Sequence, residues 1–199
     1  MPIRTKVSFV RFNELNDISV NCDFHMHTSQ TDGRNSAEEM LKQMDLKSVA
    51  QCAITEHVRH DSDWCVDFFQ SVRAIRDEYK GKVYIGIEAK AIDFDGHLDA
   101  SEVVLQEAEI VLGSVHRFPG GSALKEIGKL TYEEASRTEF ELASALLKNA
   151  PIDVLAPPGG VTQRCFGRFP DERFRELRTI SLDRGVAGEI SSSYLKDFN

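Results

Sequence analysis

The stretch Val20-Asn21-Cys22-Asp23-Phe24-His25-Met26-His27-Thr28 decides the fold prediction, because its residues alternate as they do in a β-strand. In a strand, His25 and His27 point to one face together with Asp23, and the apolar side chains between them point to the other. Two imidazoles on one strand face can bind the same metal ion, since neutral imidazole is a common ligand of zinc and related metals. The stretch therefore predicts a strand that ends in a metal site.

The chain of 199 residues has an ordinary globular composition, with 41% hydrophobic and 28% charged residues, and its length predicts a single domain over residues 1–199. Its 32 acidic and 24 basic residues give a formal charge of −8, which argues against electrostatic binding to nucleic acid or to an anionic membrane. The sequence has no apolar run of membrane-spanning length, and its four cysteines form no Cys-x-x-Cys pair. A cytoplasmic location is therefore expected.

Strand patterns alternate with helix patterns along most of the chain, which is typical of a parallel sheet covered by helices. The predicted strands are Val20–His27, Val49–His57, Val83–Ala89, Ile110–His116, Asp153–Pro157 and Val186–Ser191. The predicted helices are Ser36–Leu46, Asp63–Tyr79, Ser101–Glu109, Thr131–Leu147 and Asp171–Leu182. Residues 1–19 are harder to assign and could add a leading strand or a plug.

Potential metal ligands stand at the ends of four successive predicted strands. The strand period places His57, Glu88 and His116 on the same face as the two histidines of the first strand. In a β/α barrel this face is the lumen, and the C-terminal strand ends form the mouth of the active site. Since an ionised Glu88 between apolar walls is costly without a cation, a metal cluster explains the pattern better than four separate core residues do.

The same residues resemble the motifs of the polymerase and histidinol phosphatase (PHP) superfamily, from about residue 20 to residue 195. The matching motifs are Asp23-Phe24-His25-Met26-His27-Thr28, Thr31-Asp32-Gly33, Thr55-Glu56-His57, Gly86-Ile87-Glu88 and Gly113-Ser114-Val115-His116-Arg117. The resemblance implies an α/β fold, a distorted (β/α)7 TIM-like barrel. It also implies that this barrel holds one to three divalent metal ions per chain, which would be zinc, manganese or iron.

The resemblance further implies a role for each ligand. It makes His25 and His27 ligands of a first metal and makes Glu88 a bridge from that metal to a second one. His116 would bind the second metal. His57 would bind a third, and Asp32 would contribute to that site from the loop after the first strand.

The sequence departs from the family pattern at three places. Glu56 replaces an aspartate, but the strand period points it away from the common face, so we expect the change to be harmless. Pro157 stands where the family has a histidine, and its side chain cannot bind a metal. The family's last motif, Asp-x-His, is absent, so the barrel is expected to be C-terminally short or incomplete. The first metal site is then the most complete and the third the least.

Two cations bridged by a carboxylate can lower the pKa of a water and stabilise an in-line displacement at phosphorus. The leading hypothesis is therefore a metal-dependent hydrolase of phosphate esters, a PHP-type phosphatase that acts on a small phosphorylated substrate through a metal-activated water. Its predicted catalytic residues are Glu88, His116 and Arg117. Its predicted phosphate-binding residues are Arg117 and, after the Gly159-Gly160 turn, Arg164 and Arg168, because arginine forms bidentate contacts with phosphate.

Alternatives to this hypothesis stay open. Pro157 and the absent last motif also fit a catalytically degenerate domain that serves as a metal-binding or regulatory module. A deaminase of the amidohydrolase type also carries His-x-His in its first strand, although Glu88 fits that class poorly. A homo-oligomer in which a partner subunit completes the barrel is a further option. The segment Asp93-Phe94-Asp95-Gly96-His97 is interpreted as a turn, because it lacks the later ligands of a calcium loop.

Overall fold

A computed structural model of the chain describes residues 7, 9–16, 21–120 and 124–191. The strands in these residues are β1 (Cys22–Met26), β2 (Gln51–Val58), β3 (Lys82–Lys90), β4 (Ile110–Ser114), β5 (Val154–Leu155) and β6 (Ala187–Gly188). The helices are α1 (Ala37–Leu46), α2 (Cys65–Arg76), α3 (Glu102–Glu107), α4 (Leu124–Ile127), α5 (Tyr132–Asn149), α6 (Gly160–Phe166) and α7 (Asp171–Arg184). The six strands form one sheet in chain order with parallel pairings, which confirms the predicted α/β class.

The chain forms two compact units. The first contains the residues up to Ala89 together with Ala100–Val111, and the second contains Lys90–Asp99 and the chain from Leu112 onward. Strand β4 begins in the first unit and ends in the second. A single domain over residues 1–199 stays a prediction.

The first unit is built on β2 and β3, which pair in register from Gln51 opposite Lys82 to Val58 opposite Ala89. Both strands are buried along nearly their whole length, as parallel strands covered on both faces require. The predicted helices α1 and α2 form within a few residues of their expected ends. Helix α1 starts with a capping box, in which Ser36 and Glu39 satisfy each other's backbone N–H groups.

Strand β1 contains a β-bulge between Asp23 and Met26, the interval that includes His25. Asp23 pairs with Cys52 and Met26 pairs with Ile54, so three steps along β1 correspond to two along β2. The Thr55 hydroxyl compensates for the broken ladder, because it accepts a hydrogen bond from the Met26 N–H at 3.1 Å and donates one to the Met26 carbonyl at 3.3 Å. The end of β1 is thereby fixed to β2 despite the extra residue.

Close packing around β3 requires a glycine two residues before Glu88. A Cβ atom on Gly86 would lie 2.3 Å from Ile110 Cγ2 and 2.7 Å from the Ile110 carbonyl oxygen, distances that no side chain could keep. The start of β4 can therefore pack directly against β3, and the Glu109 N–H donates to the Ile85 carbonyl at 2.8 Å.

The second unit contains a helix, α6, that the sequence analysis did not predict. Its first turn is held by the buried Glu139 of α5, whose carboxylate accepts hydrogen bonds from the N–H groups of Val161 at 3.0 Å and Thr162 at 2.7 Å. Burial raises the pKa of Glu139, although these hydrogen bonds oppose that effect. The Gly159-Gly160 turn is thus the start of α6, with Gly159 at a φ of 82° as its cap.

The leading segment has no strand within its described residues, 7 and 9–16, where only a turn of 3₁₀ helix forms at Phe12–Glu14. Phe9 instead packs its ring edge-to-face against Phe24 of β1, with the ring centroids 5.5 Å apart. Among the helices that the structure describes, none combines the length and the apolar character that crossing a bilayer would demand.

Candidate metal centre

Three histidine side chains of the first unit surround one carboxylate oxygen of Glu88. Glu88 Oε2 lies 3.2 Å from His25 Nε2, 3.4 Å from His27 Nε2 and 2.9 Å from His57 Nδ1. Glu88 is only 2% exposed, whereas the three histidines are partly accessible to solvent. The ends of β1, β2 and β3 therefore deliver four potential ligands to one place.

A second group of ligands adjoins the first. His57 Nε2 lies 3.4 Å from Asp32 Oδ2, and the rings of His27 and His57 stack with centroids 4.2 Å apart and an interplanar angle of 16°. Ligand atoms of His27, Asp32 and His57 all lie within 4.8 Å of one another, as do those of His25, His27 and Glu88. Five of the six predicted metal ligands are thus brought together in the first unit.

The sixth predicted ligand, His116, belongs to the second unit, where it follows β4 and is half-buried. Arg117 beside it is exposed. The roles of both residues in metal or phosphate binding stay predictions. Pro157 is half-buried and precedes α6, where its carbonyl accepts the Gly160 N–H at 3.2 Å.

The donor set fits a divalent transition metal. Imidazole nitrogens combined with carboxylate oxygens suit zinc, iron and manganese. His27 approaches Glu88 through Nε2, so Nε2 is the ring nitrogen that would bind a cation shared with Glu88. A cation would also offset the negative charge of the buried Glu88.

Burial lowers the pKa of His27 to about 4, and the neighbouring His57 contributes to the shift. His27 is therefore neutral at pH 7, which is the form that binds a metal. The pKa of His57 is raised, mainly because its ring is hydrogen-bonded to the carboxylate of Glu88. The two stacked rings thus differ in protonation behaviour although they face the same carboxylate.

Glu56, the residue before His57, fixes the loop that carries Asp32. Its side chain is fully buried, and Oε1 accepts a hydrogen bond from the Thr28 N–H at 2.8 Å. Its second oxygen accepts one from the Thr31 hydroxyl. This role of Glu56 cannot be predicted from the sequence, because strand alternation indicates only which face a residue takes and not which loop lies there.

The loop also depends on Gly33. The N–H groups of Thr31 and Gly33 both donate to the Thr28 carbonyl, at 3.1 and 2.9 Å, so the chain folds back on the end of β1. A Cβ atom on Gly33 would lie 2.1 Å from the His27 carbonyl oxygen. Only glycine permits this approach, which holds the neighbouring Asp32 close to the histidines.

The remaining predicted phosphate-binding arginines lie in the second unit. Arg164 is exposed on α6. Arg168 is exposed as well, and its guanidinium group lies over the Tyr132 ring, 4.7 Å from the centroid. This cation–π contact gives Arg168 a packing role. Phosphate binding by either residue stays a prediction.

A separate group of acidic residues and a histidine forms a turn. Asp93 Oδ1 accepts hydrogen bonds from the N–H groups of Asp95 and His97, and Asp93 Oδ2 lies 2.7 Å from His97 Nδ1. Asp95 and His97 are exposed. The segment has the internal hydrogen bonds of an aspartate-initiated turn, in agreement with the sequence analysis.

Replacing Glu56 by glutamine should lower the free energy of unfolding by about 1–3 kcal/mol, because the amide nitrogen cannot accept a hydrogen bond and leaves a buried donor of the loop unpaired. Urea unfolding of chelator-treated protein measures the change. Glu38→Gln on the exposed face of α1 removes the same charge and should leave stability close to that of the wild type. Equal stability of the two variants would contradict the role of Glu56.

In chelator-treated protein, the His27 ring should titrate near pH 4 and the His57 ring above its ordinary value, because burial opposes a charge on His27 whereas Glu88 favours one on His57. NMR titration of the imidazole nitrogens measures both. A pKa of His27 equal to or above that of His57 would show that their surroundings differ from those described.

The sequence matches a protein-family model and resembles two known proteins. Residues 23–180 match the model of the PHP domain family. The chain is 25% identical over 154 residues to the DNA polymerase/3'-5' exonuclease PolX of Bacillus subtilis, and 29% identical over 141 residues to a "Probable phosphatase" of Acetivibrio thermocellus. These matches cover 73% and 69% of this chain. They cover 24% and 54% of the relatives, so the chain spans about a quarter and about half of their lengths.

A solved structure has a similar fold. The crystal structure of the "putative histidinol phosphatase hisK" from Listeria monocytogenes aligns with a TM-score of 0.63 over 84% of this chain and 80% of that chain, at 14% sequence identity. At this identity the likeness concerns the fold alone. Because the family model matches most of its length, the chain belongs to the PHP domain family.

Proposed function

We propose that the protein is a metal-dependent hydrolase of phosphate esters that acts on a small phosphorylated substrate. The observation that carries this proposal is the convergence of three imidazoles on the buried Glu88 carboxylate in a chain of the PHP family. The phosphatase and exonuclease names of its two relatives support cleavage of a phosphoester bond. We further propose that the fold is a (β/α)7 TIM-like barrel. A cytoplasmic location is also proposed, which the four free cysteines support.

His25, His27 and Glu88 would hold one cation, and His57 with Asp32 would contribute to another. Zinc, manganese and iron all suit this donor set. When bound, such cations supply an activated water and offset the negative charge on the phosphate oxygens. His116 and Arg117 keep the metal-binding and catalytic roles that the sequence predicts.

The chain's own side chains prepare the site for this chemistry. The low pKa of His27 keeps its imidazole uncharged at neutral pH, so that one ring nitrogen has a lone pair available for a metal. Glu56 and Thr31 hold the loop with Asp32 in place, which limits the cost of organising the ligands when a cation binds. These features favour a preformed centre rather than one assembled on binding.

A second candidate function is a metal-binding or regulatory module without catalytic activity. Pro157 favours it, because this proline stands where a histidine is expected and supplies no ligand. Both candidates require the cluster around Glu88 to bind metal. They differ only in whether a phosphate ester is turned over.

Glu88→Gln and His25→Ala should each abolish tight metal binding, because each removes a side chain that binds the metal directly. Loss of a residue that only hydrogen-bonds to a ligand already weakens metal binding about 10- to 100-fold. Elemental analysis gives the metal content, and calorimetric titration with zinc and manganese gives the affinities. The matched controls Glu38→Gln and His97→Ala change exposed residues and should retain the metal. Unchanged metal content in Glu88→Gln would contradict the assignment.

Turnover separates the two candidate functions. The wild type should hydrolyse para-nitrophenyl phosphate with added manganese, zinc or iron, and Glu88→Gln should not. If the folded, metal-loaded wild type hydrolyses no phosphate ester with any of the three metals, the enzyme proposal fails and the module remains.

A further inference from the structure

A pocket of about 380 Å³ opens beside the candidate metal centre, within the first unit. One wall comes from the loop that carries Asp32 and includes Thr31, and the other comes from the segment that follows β2 and includes Arg59, Asp61 and Trp64. His57 lines the pocket as well, so a molecule bound there would lie next to a candidate metal ligand. The volume falls in the range of sites for small molecules.

Arg59 is the cation of this pocket, and it stands two residues after His57. Its backbone is anchored, since the Arg59 N–H donates to the Ser62 hydroxyl at 2.9 Å. Its guanidinium group forms no ion pair with any carboxylate of the described residues. The nearby arginines of α2 differ, because Arg73 pairs with Glu107 and Arg76 pairs with Glu109. Arg59 therefore keeps its hydrogen-bond donors available for a ligand.

The charged and aromatic side chains of the lining indicate which ligand the pocket takes. Guanidinium binds oxyanions through paired N–H donors, and phosphate is such an oxyanion. Asp61 also lines the pocket and repels an anion, so the formal charges of Arg59 and Asp61 cancel. Cations bound at the neighbouring centre would make the site positive. Trp64 supplies an aromatic surface for the organic part of the ligand.

We propose that Arg59 binds the phosphate group of a small phosphate monoester and that the pocket receives the adjoining organic group. This inference rests on the proposed function and adds a substrate-binding residue to it. It assigns phosphate binding to a residue of the first unit that the sequence analysis did not select. Asp61 acts against Arg59 and limits the affinity for the released phosphate.

Trp64 makes the proposal directly measurable, because it is the only tryptophan of the chain. Inorganic phosphate titrated into manganese-loaded protein should change the tryptophan fluorescence and saturate, with calorimetry as a second readout. Chelator-treated protein should bind phosphate more weakly, because no cation then makes the site positive. Arg59→Gln should raise the dissociation constant about tenfold, as the loss of a charge-assisted hydrogen bond predicts. Asp61→Asn should lower it about threefold, because it removes a repulsive charge.

The dissociation constant should therefore change in opposite directions in Arg59→Gln and Asp61→Asn. A disturbed loop would instead raise the dissociation constant in both variants. Arg59→Lys should restore part of the affinity. Arg175→Gln, which removes a cation from the exposed surface of α7, should leave the dissociation constant unchanged. Equal phosphate binding by the wild type and Arg59→Gln, or no saturable phosphate binding at all, would overturn the proposal.

The outcome also separates this inference from the proposed function. If phosphate binding depends on Arg59 but no phosphate ester is hydrolysed, the pocket assignment stands and the catalytic proposal fails. If para-nitrophenyl phosphate is hydrolysed with the same KM by the wild type and Arg59→Gln, the catalytic proposal stands and the pocket assignment fails.

Discussion

The structure of the first unit depends on a carboxylate that is buried among imidazoles. Glu88 has 2% of its surface exposed, and burying an ionised carboxylate costs several kcal/mol unless opposite charge or hydrogen bonds compensate it. Three histidines from two neighbouring strands approach one of its oxygens to within 3.4 Å. Without a cation, burial of the ionised Glu88 carboxylate destabilises the folded protein. With a cation bound, the same burial strengthens the attraction between the carboxylate and the metal.

Two other buried glutamates illustrate how differently the fold uses the same side chain. Glu56 accepts hydrogen bonds from the Thr28 backbone and the Thr31 hydroxyl, and Glu139 accepts them from the backbone N–H groups at the start of α6. Both are satisfied by neutral donors and organise a loop or a helix end. Of these three glutamates, Glu88 is the one that faces imidazole nitrogens, which are groups that also bind metals. Function therefore follows from the partners of a buried carboxylate and not from burial itself.

The sequence predicted the six strands and the long helices because each carries a local signal, such as the alternation in β2 or the capping box at Thr131 of α5. Helix α6 lacks such a signal, since its glycine and β-branched residues disfavour a helix and Glu139, distant in sequence, stabilises its first turn. The cluster of ligands was predictable from strand ends, because parallel strands end at one edge. The contacts of Glu56 and the pocket at Arg59 were not, because they depend on how two loops fold back.

In the proposed centre, His25, His27 and Glu88 bind one metal ion. Anomalous X-ray diffraction from crystals grown with zinc, with data on both sides of its absorption edge, would locate that ion. We expect an anomalous peak about 2.0–2.2 Å from a nitrogen of each of the two histidines and from the Glu88 carboxylate. Absence of anomalous density at these three side chains, in a crystal where they are well ordered, would show that they bind no zinc.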